Sequence, residues 1–288
     1  MTETTIPSAT TEIELDLLLE AIWRRYHYDF RNYSRDSLHR RMERACTHFE
    51  CASLSELQHR VLHDPGMLGQ LMGHLTIQVS EMFRDPAYFR SLREKVIPHL
   101  RTWPSLKVWI AGCANGEEFY SLAILFREEG LEERTIFYCT DINPAALEAA
   151  KAGIYDVERI PGFIRNHRES GAQTSLSDHY TAGFGAVRFD PSLRHRAVFA
   201  NHNLASDEVF SEVQLISSRN VLIYFDRELQ DRALGLFDRS LTRGGFLGLG
   251  SRETLRFSSH SPSFSDFDAD QRIYRRTSPS NEENARAA

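Results

Sequence analysis

No stretch of this 288-residue sequence comes near the roughly 20 consecutive apolar residues that a membrane span requires. The most apolar runs, VLIYF and FLGLG, stop after a handful, so no membrane insertion is expected. The opening MTETTIPSATTEIELD is polar and acidic and lacks the basic and apolar regions of a secretory signal, which predicts a cytoplasmic protein. Cysteine is scarce: Cys46, Cys51, Cys113 and Cys139 are the whole complement, and in that compartment they are expected to be reduced thiols. An excess of positive charge is also missing. Lys and Arg number 34 against 40 Asp and Glu, a formal net charge of −6. That balance argues against a chain held on nucleic acid by phosphate neutralisation, although a local basic face escapes the test. Metal motifs are absent: His59 and His63 form an i, i+4 pair with Cys46, His48 and Cys51 upstream, but there is no C-x-x-C and no H-E-x-x-H, so no metal is expected. A G-x-S-x-G nucleophile elbow is lacking too.

What is there is globular. Apolar residues make up 41% and charged residues 26%, and the length suits one large domain with a smaller companion. Polar stretches at 1–11 and 277–288 are expected to be tails. Residues 12–85 read as an N-terminal helical domain: Leu38, Met42 and Cys46 recur at helical spacing, and Ser53 with Glu56 forms a capping-box pattern. Asp85-Pro86 opens a linker helix over 86–105. From 106 to 276 short apolar runs alternate with helices. LKVWIA (106–111), IFYC (136–139), AVFA (197–200), VQLI (213–216) and FLGL (246–249) are predicted strands, and 117–128, 144–152 and 227–241 predicted helices. Such alternation predicts an α/β domain with a doubly wound, mostly parallel sheet. The stretch 160–196 breaks the alternation and is assigned to an inserted element.

In an open parallel sheet, ligands bind beyond the carboxyl ends of the strands. The first strand turn reads Gly112-Cys113-Ala114-Asn115-Gly116-Glu117-Glu118, a G-x-x-x-G followed by two acids, unlike the dinucleotide and phosphate-loop patterns. A pyrophosphate there would face two carboxylates, whereas an ammonium, a sulfonium and sugar hydroxyls would be attracted. S-adenosylmethionine combines those groups. Acids in a first helical turn also merely complement the helix dipole, and that is the ordinary reading of an isolated pair. Asp141, ending the second predicted strand, shifts the balance because it can accept both ribose hydroxyls, alongside a possible part in capping the helix that follows.

Several strings together resemble one family, the chemotaxis receptor glutamate methyltransferases (CheR): IQVSEMFRDP (77–86), AGCANGEEFYSLAI (111–124), TDINPAALEAAKAGIY (140–155), His202-Asn203-Leu204, RNVLIYFD (219–226) and GGFLGLGSRETL (244–255). The order of the strings follows the family over roughly residues 12–276. The resemblance implies a Rossmann-like S-adenosylmethionine-dependent methyltransferase domain joined to an N-terminal all-α domain, with a small β-insertion. It implies S-adenosyl-L-methionine as cofactor, S-adenosyl-L-homocysteine as product, and methyl transfer to glutamate side chains on the cytoplasmic helices of chemoreceptors, by a monomer. Carried over by motif, Gln78, Ser80, Arg84, Gly112, Glu118, Asp141, Asn203, Leu204, Ser218, Arg219 and Asn220 would bind the cofactor, with Arg84 and Tyr224 nearest the reacting centre as catalytic residues. Gln78, Ser80, Met82, Phe119 and Ser218 depart from the family's usual Asn, Thr, Phe, Pro and Cys, and GSRETL departs from its usual ending.

Glutamate is already ionised at neutral pH, so its methylation needs no general base. The tasks are alignment and desolvation, and the two-pronged guanidinium of Arg84 suits the aiming of a carboxylate. Its structural alternative is a salt bridge with Asp85 or Glu81; that of Tyr224 is an aromatic packed behind a strand. Between Arg24 and Arg44 seven arginines stand against three acids, and Arg40, Arg41 and Arg44 are the candidate contacts to an acidic receptor surface, the alternative being a solvated face. Two other functions stay open at this level: a methyltransferase with another acceptor, and a catalytically silent cofactor-binding signalling module. The D/N-P-P-Y/F string of adenine-methylating DNA enzymes is missing, and no nucleic-acid partner is expected.

Overall fold

The computed structural model describes residues 9–76, 78 and 80–277. Most of both expected tails, and positions 77 and 79 of the IQVSEMFRDP string, lie outside these residues. At the described edge the reading needs correction: helix α1 already begins at Ala9, so residues 9–11 are not tail. The chain packs as two compact units. Among the described residues, one holds 9–76 together with Tyr224–Gln230; the other holds those from Gln78 to Ile223 and 231–277.

The first unit is helical: α1 (Ala9–Tyr26), α2 (Arg35–His48), α3 (Leu54–His63) and α4 (Met67–Leu75). Helix α1 buries Leu15, Leu18, Leu19 and Ile22, the i, i+3, i+4, i+7 stripe of an amphipathic helix. Truncating one of these leucines to alanine would cost about 2–5 kcal/mol. On α2 the buried face is Leu38, Met42 and Ala45, one residue short of the predicted Cys46, which is half-buried. Ser53 caps α3 by accepting from the Glu56 N–H at 3.2 Å, and the Glu56 carboxylate reaches back to the Ala52 N–H. The segment from Tyr224 joins this unit through backbone bonds, Ser34 N–H to Tyr224 C=O at 2.8 Å and Asp226 N–H to Asn32 C=O at 3.0 Å.

The second unit begins with α5 (Pro86–Ser91), a π-type turn over Leu92–Val96 and α6 (Ile97–Leu100). A seven-stranded sheet follows, ordered β6-β2-β1-β7-β8-β10-β9. Strands β1 (Leu106–Ala111), β2 (Thr135–Asp141), β6 (Ala197–Asn201), β7 (Val213–Ser218) and β8 (Leu241–Leu249) run parallel, whereas β10 (Ile273–Arg276) pairs antiparallel with β8 on one side and with the edge strand β9 (Phe264–Asp268) on the other. Helices α7 (Glu117–Glu128), α8 (Pro144–Ala152), α9 (Ile160–Glu169) and α10 (Arg227–Ser240) complete the alternation. Strand order reverses between β1 and β7, the switch point at which such sheets open a crevice. Strand β1 lies in the core, with Val108, Trp109 and Ile110 at most 1% exposed. The Trp109 indole N–H still finds an acceptor, Thr140 Oγ1 at 2.8 Å.

A separate three-stranded antiparallel sheet, β3-β5-β4, is built from Ile154–Asp156, Ala186–Phe189 and Tyr180–Gly183. Its first strand lies upstream of the 160–196 span to which the sequence assigned the insertion. Three residues are too few to show a strand period, and the identity of Ile154–Asp156 comes only from pairing with β5.

Candidate functional site

The turn after β1 is shaped by two glycines in left-handed backbone, Gly112 (φ 77°) and Gly116 (φ 92°). Both are also crowded. A Cβ on Gly112 would come 2.5 Å from Val221 Cγ2, and one on Gly116 2.9 Å from Ala150 Cβ. Amides of Gly112 and Cys113 bond the Thr140 carbonyl at 2.8 and 2.9 Å. Asp141 then fixes the turn from β2: one carboxylate oxygen accepts from the Ala114 N–H and the other from the Asn143 N–H, each at 2.9 Å. The carboxylate is buried. Burial pushes its pKa up, while the amides of Asn143 and Ala114 and the side chain of Gln78 pull against that shift. An ionised carboxylate has about four acceptor positions, and the amides of Asn143, Ala114 and Ile142 and the Gln78 side chain already engage Asp141, so a ligand hydroxyl would share or displace one of these donors.

The two acids that open α7 diverge. Glu117 is fully buried and pairs with Arg159 at 2.9 Å; burial raises its pKa. The expectation that both carboxylates face one ligand is corrected here, because a helical step of about 100° separates adjacent side chains. Glu118 turns to the end of β7, accepting from Ser217 Oγ at 2.5 Å and lying 3.4 Å from Arg219 Nη1. The Arg219 side chain is 1% exposed and its other prong reaches Asp85 at 2.7 Å. Its guanidinium lies 4.1 Å from the Tyr88 ring centroid, and the Tyr88 hydroxyl bonds Ser217 at 2.9 Å.

Beyond Arg219 the chain bends at Asn220 (φ 61°). Glu253, 4% exposed, secures this bend: one oxygen accepts from Asn220 and Gly250 at 3.0 and 2.6 Å, the other from Val221 at 2.8 Å and Ile223 at 3.4 Å. This is the contribution of the GSRETL string. Three polar atoms here are buried without a hydrogen-bond partner among the described residues: Asn203 Nδ2, Ser218 Oγ and Asn220 Oδ1. Buried polar atoms are ordinarily bonded. A donor, a hydroxyl and an acceptor, all following carboxyl ends of parallel strands, fit a ligand carrying both hydroxyls and an amine or carboxylate, as S-adenosylmethionine does.

The second unit thus contains Gln78, Gly112, Glu118, Asp141, Asn203, Leu204, Ser218, Arg219 and Asn220 at or against the strand ends. The Gln78 carbonyl accepts from Asn115 at 3.1 Å, and Leu204 is buried. Ser80 and Arg84 lie on the segment leading into α5; the Ser80 carbonyl accepts from Arg159. Arg84 is half-buried. Neither of the alternative salt bridges, to Asp85 or to Glu81, is present among the described residues: Asp85 goes to Arg219 and Glu81 to Asn166.

The remaining candidates belong to the helical unit. Arg40 and Arg44 are exposed on α2. Arg41 is not, which corrects its place on that face: it is 7% exposed, bonds the Leu75 carbonyl and stacks 4.7 Å from the Tyr224 ring centroid. Burial lowers its pKa. Sequence reasoning missed Tyr88, Ser217 and the carboxylate of Glu253. Glu253 sits in the GSRETL string but gives little local signal, since besides the Gly250 amide its partners are the backbone amides of Asn220, Val221 and Ile223, 30 to 33 positions upstream.

Comparison with known proteins bears on this geometry. Residues 78–273 match a family model described as the SAM binding domain of CheR methyltransferase, and residues 13–76 match its all-alpha domain. A Pseudomonas putida protein named "Putative methyltransferase Cher3" is 56% identical, covering 93% of this chain and 98% of that one. A chemotaxis protein methyltransferase of Listeria monocytogenes is 32% identical over 67% of this chain and 71% of its own length. Chemotaxis protein methyltransferase 1 of Pseudomonas aeruginosa is 30% identical over 70% and 76%.

Proposed function

Because the chain belongs to the CheR methyltransferase family and is an S-adenosylmethionine-dependent methyltransferase, we propose that its acceptors are glutamate side chains on the cytoplasmic helices of chemoreceptors. Asn203, Ser218 and Asn220, with Asp141 and Glu118, would hold the cofactor at the strand ends. When bound, S-adenosylmethionine supplies an electrophilic methyl group on a sulfonium. The acceptor carboxylate is ionised at neutral pH, so the protein's residues need move no proton before transfer. Their work is to place an oxygen in line with the methyl carbon, which can contribute roughly 7–11 kcal/mol in well-oriented pairs.

The observation that carries the carboxylate reading is Arg84. Its guanidinium is half-buried and has no ion pair or hydrogen bond among the described residues, although two acids flank it closely in sequence. A planar cation left unneutralised in that way is suited to a two-pronged grip on an incoming carboxylate. Tyr224 is proposed as the second group near the methyl in transit, through its hydroxyl. Exposed Arg40 and Arg44 would meet acidic receptor helices.

The test is transfer of labelled methyl from S-adenosylmethionine to purified receptor cytoplasmic fragments, followed by mild alkali. Carboxyl methyl esters release methanol under these conditions. Label that survives alkali would indicate an amine or amide acceptor and overturn the glutamate reading; cofactor binding with no label on any receptor would indicate a silent signalling module.

A further inference from the structure

We propose that Asp85 and Arg219 form a positioning device for Arg84, one that holds the strained turn presenting it and withholds Asp85 as its partner. The inference rests on the proposed role of Arg84 in aligning the acceptor. Two non-glycine residues in left-handed backbone, Phe83 (φ 51°) and Asp85 (φ 55°), bracket Arg84. Such residues persist only where their surroundings fix them.

Both are fixed here. The Phe83 N–H donates to Ser121 Oγ at 2.7 Å, which donates in turn to the Glu117 carbonyl at 2.7 Å. Its ring is fully buried, 5.1 Å from Phe89 and 4.7 Å from His167 by centroid. Asp85 occupies the N-cap position of α5 but makes no side-chain cap; its carboxylate instead meets Arg219 Nη2 at 2.7 Å. Arg219 cannot swing away, being stacked on Tyr88 and set against Glu118. Tyr88 and Glu118 are joined through Ser217. The interactions close into a ring running Asp85, Arg219, Glu118, Ser217, Tyr88, with Tyr88 returning to Asp85 along α5.

The ring has a chemical consequence for Arg84. Asp85 is its sequence neighbour and, if free, an anion available to neutralise it. Captured by a buried guanidinium, Asp85 is committed elsewhere and Arg84 keeps its charge and both prongs for the acceptor. Asp85 touches neither the acceptor nor the cofactor in this scheme. It acts through Arg84, and Arg219 acts through Asp85.

The test uses the full chain with Asp85→Asn, Asp85→Glu, Arg84→Lys and the Asp85→Asn/Arg84→Lys pair. Hydrogen exchange of the 82–85 amides needs no acceptor: Asp85→Asn is expected to speed it at least tenfold, with the rest of the sheet unit unchanged. In single-turnover transfer to a receptor fragment, Asp85→Asn is expected to fall about tenfold while its Kd for S-adenosylhomocysteine stays within threefold. Asp85→Glu, which keeps the charge, is expected to recover much of that loss and supplies the folded comparison. On the Arg84→Lys background Asp85→Asn should cost nothing further. Unchanged exchange at 82–85, or a full additional loss in the double variant, overturns the proposal. If the wild type esterifies no receptor, the acceptor reading fails separately and the exchange measurement still decides whether the pair holds the turn.

Discussion

Gly112 and Asp141 show how little freedom the turn after β1 has. A side chain at Gly112 meets both a left-handed φ of 77° and Val221 Cγ2 at 2.5 Å. Gly112→Ala is therefore expected to lower stability by about 1–3 kcal/mol and to weaken cofactor binding, as measured by urea unfolding and calorimetry with S-adenosylhomocysteine. Adding Val221→Ala removes the clash but not the backbone strain, so the pair should recover only part of the loss; full recovery would mean the backbone conformation matters little. For Asp141→Ala, loss of a charged acceptor, roughly 1.5–3 kcal/mol, should raise the Kd for S-adenosylhomocysteine by one to two decades. An unchanged Kd would leave Asp141 with only its bonds within the protein to hold. Residues of this kind were legible in the sequence because glycine spacing and an acid at a strand end are local signals. Glu253 and the engagement of Arg219 were not: apart from the nearby Gly250 amide, Glu253 meets amides 30 to 33 residues upstream once β7 and β8 lie side by side, and Arg219 meets Glu118 and Asp85 more than 100 residues away.

Helices α7 and α8 ended where the sequence placed them, at 117–128 and 144–152, because their stops are chemical. Asn143 accepts from the Ala145 and Ala146 amides and Gly153 closes α8 in left-handed backbone. Strands β9 and β10 were not read: FSDFD and IYRR carry too much polar character for apolar-run logic, and they are strands because they extend the sheet beyond β8. The far end of α7 carries a feature that runs against local rules, since Glu128 is an acid at a helix carboxyl end. Burial would push its carboxyl up, but bonds from His167, Thr174 and Arg93 outweigh burial and hold it down to about 2. A depressed carboxylate contributes stability above its unfolded pKa and loses it as pH falls toward the folded value. Between pH 6 and pH 3.5 this one group should account for about 1.4 kcal/mol of lost stability. Denaturant unfolding across that window is expected to fall less steeply for Glu128→Gln, which begins less stable at pH 6; parallel curves for the two proteins would assign the acid sensitivity elsewhere.

Across the whole molecule, the chemistry divides between two units, and so should the kinetic constants. The sequence count of seven arginines against three acids overstated the free basic charge, because α1 brings acids that lie earlier in the chain. Arg24 pairs with Glu20, Arg31 with Glu20 and Asp29, and Arg35 with Asp16, while Arg41 is buried. Exposed Arg40 and Arg44 remain one turn apart on α2, with no ion pair among the described residues. If they meet an acidic receptor helix, Arg40→Glu with Arg44→Glu reverses both contacts. The apparent KM for receptor should then rise at least tenfold, with the Kd for S-adenosylhomocysteine unchanged, since the cofactor candidates Asp141, Asn203, Ser218 and Asn220 belong to the other unit. Charge contacts of this exposed kind are screened over about 8 Å at physiological ionic strength, so the wild-type KM should rise with added salt and the double variant's should not. Arg24→Glu with Arg35→Glu is the matched control: it makes the same charge change on the same unit at positions already paired with Glu20 and Asp16, and its KM is expected to stay near wild type. A KM unmoved in the Arg40→Glu/Arg44→Glu variant would return Arg40 and Arg44 to the solvated surface, and one moved equally by Arg24→Glu with Arg35→Glu would reduce the effect to overall charge rather than a docking face.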